Sequence, residues 1–296
     1  METLRTTYPF RIIATAIAFS PRIEEILFES KFLADMFGAN LLLIHIGEKT
    51  PHKEASLKQL MDELSIDVNR TKIIWKKGDA VRTILEICKE NAVDLLVLGA
   101  MKKESLLTYY IGSVARKISR RARCSVLLLT KPSDNPKSMK TIVVNGTEHP
   151  KTPNTIETAM YFAKVQKAKE IYVVKEKKLY GLASVVAEDE PEIETKEFKK
   201  SYAKEEKMQL KEMLKQTNIS DTSGIEIITK ILPGKAGHCS SKFARKIKAD
   251  LLVVNSPDAE KGLGMRILKR IFPQDIEYVL EHLPANLLIV YSENDG

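Results

Sequence analysis

The sequence predicts an α/β protein made of two tandem doubly wound domains, each with a five-stranded parallel sheet. One observation behind this prediction is an internal repeat: Gly78 to Gly99 (GDAVRTILEICKENAVDLLVLG) aligns without a gap with Gly234 to Asn255 (GKAGHCSSKFARKIKADLLVVN). A second is the alternation of short apolar runs with helix-like segments, which indicates parallel strands joined by right-handed crossovers. The third is the length of 296 residues, which suits two domains of ordinary size.

The elements of the first copy follow from local signals. Apolar runs over 11–16 and 40–46 predict the first two strands. Between them, Ser20-Pro21 is typical of an N-cap followed by proline at the first helical position, and Gly38 ends that helix. The repeated segment then supplies a turn glycine, a helix and a strand that is apolar on both faces. The run CSVLLL, residues 124–129, predicts the last strand.

The second copy repeats this order. Strands are predicted over 141–144, 170–174 and 285–290 (ANLLIV), the last of which matches CSVLLL after a short insertion. The polar stretch KPSDNPKSMK, residues 131–140, is interpreted as a linker, so the predicted domains are 1–132 and 138–296. Residues 175–223 are longer than their counterpart, and we interpret them as a mobile loop, acidic near Glu188, that leads into a surface helix.

Composition excludes several classes of function. No apolar run is long enough to cross a bilayer and the amino terminus has no apolar signal core, so we expect a cytoplasmic protein. The net charge is +8, but bases are interleaved with acids and aromatics are few, so we expect no nucleic-acid partner. Cys88, Cys124 and Cys239 lie far apart and form no CxxC pair, so we expect free thiols and neither a disulfide framework nor a metal site.

The best candidate for a site is the loop Gly99 to Ser113 (GAMKKESLLTYYIGS), which precedes a predicted helix. Ligands of open parallel sheets bind beyond the carboxyl ends of the strands, where strand order reverses. A helix amino terminus there presents free N–H groups and a positive dipole end, which suit phosphate. Gly112 would let the backbone approach closely, Ser113 could cap the helix or bind phosphate, and Lys102 and Lys103 could add charge. The residues alone leave open a purely structural interpretation, in which the glycines serve turn geometry and Ser113 only caps its helix.

These segments together resemble the universal stress protein family, and the resemblance covers nearly the whole chain twice. The family's pattern of glycine, two residues, glycine, nine residues and glycine-serine is present from Gly99 to Ser113, with Lys102 in place of the middle glycine. The resemblance implies a Rossmann-like, adenine nucleotide alpha hydrolase-like fold, and in the nucleotide-binding branch of the family a domain that holds ATP or AMP. The residues it implies around the nucleotide are Ile46 against the adenine, Leu98 and Gly99 beside the ribose or phosphates, and Gly112, Ser113 and Val114 around the phosphates.

Both copies depart from the family's pattern. The family's first strand ends in aspartate, a small residue and serine, whereas Ala18-Phe19-Ser20 stands here, so Ala18 and Ser20 are candidate contacts without the carboxylate. Lys102 could pair with phosphate or fill the space that a glycine leaves open.

In the second copy, Asn145-Gly146-Thr147 resembles the same turn with an amide. Its later loop has Asp258 at the middle glycine and Pro273-Gln274 at glycine-serine, so we expect phosphate binding to be lost there. An alternative anion site in that loop would use Lys261, Gly262, Gly264 and Arg266.

Three functions are weighed from these residues. The first is an adenine-nucleotide-binding module of stress response or its regulation, with the nucleotide in the first domain only. The alternative is a scaffold that binds no nucleotide and works through protein contacts. An ATP-activating enzyme is disfavoured because residues 18–22 do not form a serine- and glycine-rich pyrophosphate loop, although slow ATP hydrolysis is compatible with the first function.

The resemblance also implies how the two domains associate. Domains of this family commonly pair through their last strands, so we expect Val126–Leu129 to meet Leu287–Tyr291 within one chain. Homodimer formation by two such chains is a further option.

Overall fold

The computed structural model of the protein describes residues 8–102, 109–177, 205, 207–215, 217, 224–234, 237–257 and 274–292. In the first half the elements are β1 (Ile12–Ala16), α1 (Ile23–Phe37), β2 (Asn40–Ile46), α2 (Pro51–Glu63), β3 (Thr71–Lys76), α3 (Ala80–Glu90), β4 (Leu95–Gly99), β5 (Met101–Lys102), β6 (Tyr109–Tyr110), α4 (Ser113–Arg121) and β7 (Ser125–Leu129). In the second half they are β8 (Thr141–Asn145), α5 (Thr152–Gln166), β9 (Glu170–Lys177), α6 (207–215), β10 (Glu226–Pro233), α7 (His238–Lys246), β11 (Leu251–Asn255), α8 (Gln274–Glu281) and β12 (Asn286–Val290).

Ten of the described strands form one sheet, in the order β10-β9-β8-β11-β12-β7-β4-β1-β2-β3. Within each half all neighbouring strands are parallel, and the spatial order is third, second, first, fourth, fifth. Strand order therefore reverses between β1 and β4, and again between β8 and β11. This arrangement confirms the predicted fold class of two tandem doubly wound units.

The sheet is buried between two apolar layers, as the continuous apolar runs of its central strands require. One layer contains side chains of α1, α2 and α5, and the other contains side chains of α3, α4, α7 and α8. In α3 the residues that face the sheet are Val81, Ile84, Ile87 and Cys88, a spacing of three and four that places them on one side of a helix. Among the described residues, no helix combines the length and apolar character needed to cross a membrane.

The glycines that open the two repeated segments have the same backbone role. Gly78 has φ +146° and Gly234 has φ +140°, a region that side chains rarely adopt. A Cβ added at Gly78 would come within 2.7 Å of Thr83 Oγ1, and one added at Gly234 would collide with Cys239 Sγ at the equivalent position. The glycine in each copy is thus required by both conformation and space.

The two halves meet along an antiparallel pair of strands, β7 and β12. Leu128 lies opposite Leu287, Leu127 opposite Leu288, and Val126 opposite Ile289. Because these strands are antiparallel, the carboxyl edge of one half lies beside the amino edge of the other. We call this contact the β7–β12 seam.

Helices on both faces bridge the seam. On one face Arg120 Nε of α4 donates to Glu277 Oε1 of α8 at 2.7 Å, and Arg116 lies 3.4 Å from Glu281. On the other face Phe37 of α1 contacts Tyr161 and Phe162 of α5, with ring centroids 5.6 and 5.2 Å apart.

Several segment boundaries differ from expectation. The strand predicted over 170–174 runs on to Lys177, and the loop predicted from Gly99 to Ser113 contains the short β5–β6 hairpin. The predicted linker 131–140 does lie between β7 and β8, while the domain bounds 1–132 and 138–296 stay a prediction. The acidic stretch near Glu188 lies outside the described residues, and the predicted surface helix is described as α6.

Candidate functional site

The candidate site lies at the carboxyl ends of β1 and β4, where the strand order of the first half reverses. After β1 the chain enters α1 on one face of the sheet, and after the β5–β6 hairpin it enters α4 on the other face. A crevice at such a point is where open parallel sheets bind their ligands. The geometry therefore brings together the turn after β1, the end of β2, the end of β4 and the start of α4.

The start of α4 has the geometry of an anion site. Gly112 is the N-cap, with φ −60° and ψ 157°, and as a glycine it offers no side chain to cap the helix. The Arg116 amide donates to the Gly112 carbonyl at 3.0 Å, which is the first helical bond. Buried Ile111 anchors the entry, while Ser113 is exposed and Val114 is 41% exposed. The amides of the first turn, which have no acceptor within a helix, are thus presented at the carboxyl edge of the sheet.

Two other helices of the first half, α2 and α3, have a side chain that caps the amino terminus, whereas α1, like α4, has no such cap. In α2 the Thr50 side chain accepts from Lys53 N at 3.3 Å, and in α3 the Asp79 side chain accepts from Arg82 N at 2.9 Å. In the second half the Glu176 carboxylate accepts from the amides of Gly237 and Ser240 at the start of α7, at 2.7 and 2.6 Å. The uncapped start of α4 differs from these three.

The strand ends supply an apolar wall on the α4 side of the sheet. Leu98 is buried and Ile46 is half-buried, and both pack in the layer that includes α3 and α4. Ala18 and Ser20 are exposed in the tight turn after β1, where Ser20 N donates to Ala18 O at 2.8 Å. These candidate residues therefore lie at the same edge of the sheet as Ser113.

The glycine at position 99 is explained by the packing of α1 against β4. A Cβ at this position would come within 2.8 Å of Ile26 Cδ1 in α1, so any larger residue would have to displace the end of the Ile26 side chain that packs on β4. At this one position the purely structural interpretation is sufficient. The backbone of Lys102 pairs with that of Tyr109 in the β5–β6 hairpin, whereas Lys103 lies outside the described residues.

The structure adds Arg22 to the candidate site. Arg22 Nη1 donates to the Ala100 carbonyl at 3.0 Å, so a guanidinium lies directly beside the residue that follows β4. In the second half Lys151 Nζ donates to the carbonyls of Ser256 and Pro257 at 3.3 and 3.2 Å. Each half thus ties the start of its first helix to the loop after its fourth strand through a cation.

Strand register shows that these two cations are equivalent. Ile13 pairs with Leu95, and Ile142 pairs with Leu251, which the internal repeat aligns with Leu95. Arg22 follows Ile13 by nine residues, as Lys151 follows Ile142. Sequence reasoning missed the pair because arginine and lysine share no motif, although aligning the first strands by this register would have found it.

The same strand register also changes which residues of the two copies correspond in the turn after the first strand. It places Asn145 level with Ala16, and Thr147 level with Ala18, two residues away from the expected match of Asn145-Gly146-Thr147 with Ala18-Phe19-Ser20. The physical reason is that Asn145 closes a turn of its own, because its Oδ1 accepts from Thr147 N at 3.1 Å while its Nδ2 lies 3.4 Å from Glu176 Oε2. The amide is therefore used within the fold.

An aromatic cluster fills the other face beside the site. The Phe19 ring lies 5.0 Å from the His45 ring and 5.9 Å from the Trp75 ring, and the cluster packs under α1 and α2. His45 Nδ1 lies 3.1 Å from the Ile17 carbonyl, which can only accept, so Nδ1 carries a proton. Phe19, at the family's small-residue position, thus points away from α4.

The rest of the second-half site lies mainly outside the described residues. Asp258, Lys261, Gly262, Gly264, Arg266 and Pro273 are in that group. The helix α8 begins at Gln274, at the position that corresponds to Ser113 in the repeat. In the part of the chain that is described, no group of three or more His, Cys, Asp or Glu side chains could hold a metal ion.

Comparison with known proteins finds sequence similarity to the universal stress protein family and the same fold among solved structures. Residues 44–130 match the model of the universal stress protein family. A curated relative, universal stress protein MJ0531 of Methanocaldococcus jannaschii, is 28% identical over 76 residues, which are 26% of this chain and 43% of the relative. The match therefore spans less than half the length of that relative.

Two solved structures share the fold over nearly the full chain. A putative universal stress protein from Pseudomonas aeruginosa has a TM-score of 0.66 at 18% identity, covering 96% of this chain and 94% of that one. A universal stress protein from Archaeoglobus fulgidus has a TM-score of 0.61 at 13% identity, covering 97% and 99%. Both therefore have the two-unit architecture described above.

Proposed function

We propose, for a chain that belongs to the universal stress protein family, that the first half binds an adenine nucleotide, ATP or AMP, at the crevice between β1 and β4. The observation that carries the proposal is the uncapped start of α4 at Gly112-Ser113, which faces the carboxyl edge of the sheet. Binding there would let the nucleotide alter contacts with partners in a stress response or its regulation.

The phosphates would lie against the first turn of α4. The amides of Ser113 and Val114 and the Ser113 hydroxyl are the donors nearest the helix dipole's positive end. Arg22 adds a charge beside Ala100, because one of its five N–H groups is used on that carbonyl and the guanidinium carries four more. Lys102 is the further cation that the sequence offers.

The base and ribose would lie along the strand ends. Ile46 and Leu98 offer an apolar surface on the α4 side. Ala18 offers no carboxylate at the position where the resemblance implies one, so Ser20 is the polar side chain that remains in that turn. Recognition of the ribose is thus expected to be weaker than recognition of the phosphates.

The second candidate function is a scaffold that binds no nucleotide. Two observations favour it: Gly99 is accounted for by packing against Ile26, and the β7–β12 seam joins the two units within one chain. In that case the molecule would act through its surfaces. Dedicated catalysis is not part of either proposal, and a phosphate-release assay with ATP would check for slow hydrolysis.

Isothermal titration calorimetry with ATP and AMP separates the two functions. Ser113→Glu places a carboxylate where the phosphates would lie, yet an acid at a helix start stabilises the helix, so the variant should fold and lose nucleotide binding. Ala55→Glu, on the exposed surface of α2, adds the same charge and should bind as the unmodified protein does. Absence of heat and of any thermal shift at millimolar ATP or AMP, or unchanged affinity in Ser113→Glu, would establish the scaffold instead.

A further inference from the structure

A cavity of about 730 Å³ lies at the amino-terminal edge of the first half's sheet, opposite to the edge that carries the candidate nucleotide site. Its walls are the segment before β1, the second half of α3 and the turn from α4 into β7. Tyr291 of the second half also lines it, because the β7–β12 seam places the end of β12 beside this edge. The volume falls within the range of pockets that bind small molecules.

Four cations line this cavity: Arg11, Lys89, Arg121 and Arg123. All four are exposed, and none of their side chains forms an ion pair or hydrogen bond with the described part of the chain. Arg120, next to Arg121, shows the contrast, because it is paired with Glu277 of α8. The cavity therefore contains four cations that form no ion pair with a carboxylate in the described part of the chain.

The two carboxylates of the cavity are already engaged. Glu86 accepts from Arg82 Nε at 2.7 Å and lies 3.9 Å from Lys76 Nζ. Asp94 accepts from the backbone amides of Arg11 and Ile12, at 2.8 and 2.9 Å, and so fixes the start of β1. Glu86 is thus paired with cations that do not line the cavity, and the charge of Asp94 offsets only part of the charge of the four cations.

Two helix ends and the buried thiols also affect the charge around the cavity. Lys89 and Arg121 lie in the last turns of α3 and α4, where they offset the negative ends of the helix dipoles. Arg11 and Arg123 lie outside the helices, so their charge is surplus. A hydrogen bond with Cys88, followed by burial, raises the pKa of the Cys124 thiol well above its ordinary value, so this wall stays neutral.

We propose that this cavity is a second anion site, for a small molecule that carries two or more phosphate groups. Guanidinium groups pair with phosphate oxygens through two parallel hydrogen bonds, and cations spread around a cavity of this size suit several phosphates better than one. The site is separate from the crevice at α4 and does not depend on nucleotide binding there.

Calorimetric titration with tripolyphosphate at low salt tests the proposal. The double variant Arg11→Gln/Arg123→Gln should lower the affinity by about tenfold or more, since it removes both charges that no helix end offsets. The matched control, Lys58→Gln/Lys117→Gln, removes the same net charge from exposed positions on α2 and α4 outside the cavity, and it should change the affinity by less than about twofold.

Four results would overturn the proposal. One is the absence of tripolyphosphate binding, and another is equal weakening in both double variants, which would mean attraction by the overall charge. The third is binding that Ser113→Glu removes and Arg11→Gln/Arg123→Gln leaves intact, which would place the anion at α4. A parallel titration with citrate should give weaker binding, and equal binding of citrate would contradict the assignment to phosphate compounds.

Discussion

Glu29 lies in α1 beneath the segment that joins the two halves, and its side chain is 8% exposed. Burial raises the pKa of this carboxyl to about 7, against an ordinary value of 4.5, while a hydrogen bond from the Ser133 backbone acts in the opposite direction. The folded protein therefore holds the Glu29 proton more tightly than the unfolded chain does. The stabilisation from this group is fully present below pH 4.5 and is lost as the pH rises through 7.

The size of the effect follows from the two pKa values. Their difference corresponds to about 3 kcal/mol of unfolding free energy between the protonated and ionised extremes. Glu29→Gln keeps the shape and cannot ionise, so at pH 8 it should be more stable than the unmodified protein by about 2–3 kcal/mol, with most of the difference gone at pH 5. The same substitution at Glu24, an exposed position in the first turn of the same helix, should instead lower the stability at pH 8 by about 1 kcal/mol or less, because it removes an acid from the helix start.

Urea unfolding followed by circular dichroism at pH 5 and pH 8 measures these differences. The slope of the free energy against urea should be the same in all three proteins, so that only the midpoint moves. If Glu29→Gln and the unmodified protein lose the same stability between pH 5 and pH 8, the Glu29 carboxyl is not the group responsible, and the argument from burial is wrong.

Two further substitutions test the architecture. Leu128→Asp places a charge in the β7–β12 seam and should lower the unfolding free energy by about 3 kcal/mol or more. Val68→Asp, at a position 64% exposed, should lower it only slightly in the same urea assay. Equal losses in the two variants would contradict the burial of Leu128 in the seam. Gly78→Ala should cost about 1–3 kcal/mol, because the new Cβ is strained and meets Thr83. Gly38→Ala, with φ +62° but open space around it, should lower the thermal midpoint less, and the reverse ranking would contradict the packing argument.

Much of the fold could be predicted because its signals are local. The repeated segment, the polar linker and the helix that starts at Ser113 each depend on residues close together in sequence. Continuous apolar runs were sufficient to identify central strands, since strands buried on both faces need no alternation. The pairing expected between the last strands came from the family resemblance and not from a local signal.

The rest depends on contacts between distant residues. That Gly99 accommodates Ile26 follows only when α1 is packed on β4, and no local pattern contains it. The bond from Arg22 to Ala100 spans 78 residues, and the two-residue shift of Asn145 against Ala18 depends on strand register. The structure brings the predicted site residues to one edge of the sheet, and the site itself stays a prediction; which of these residues are committed to the fold could be judged only from three-dimensional contacts.

The antiparallel seam sets the direction in which each half faces. A ligand in the crevice of the first unit and one in the matching crevice of the second would sit on opposite rims of a single continuous sheet, too far apart to touch. In a symmetric homodimer every substitution occurs in both crevices at once. A covalently joined pair is free of that restriction, so one rim can change its side chains without altering the other.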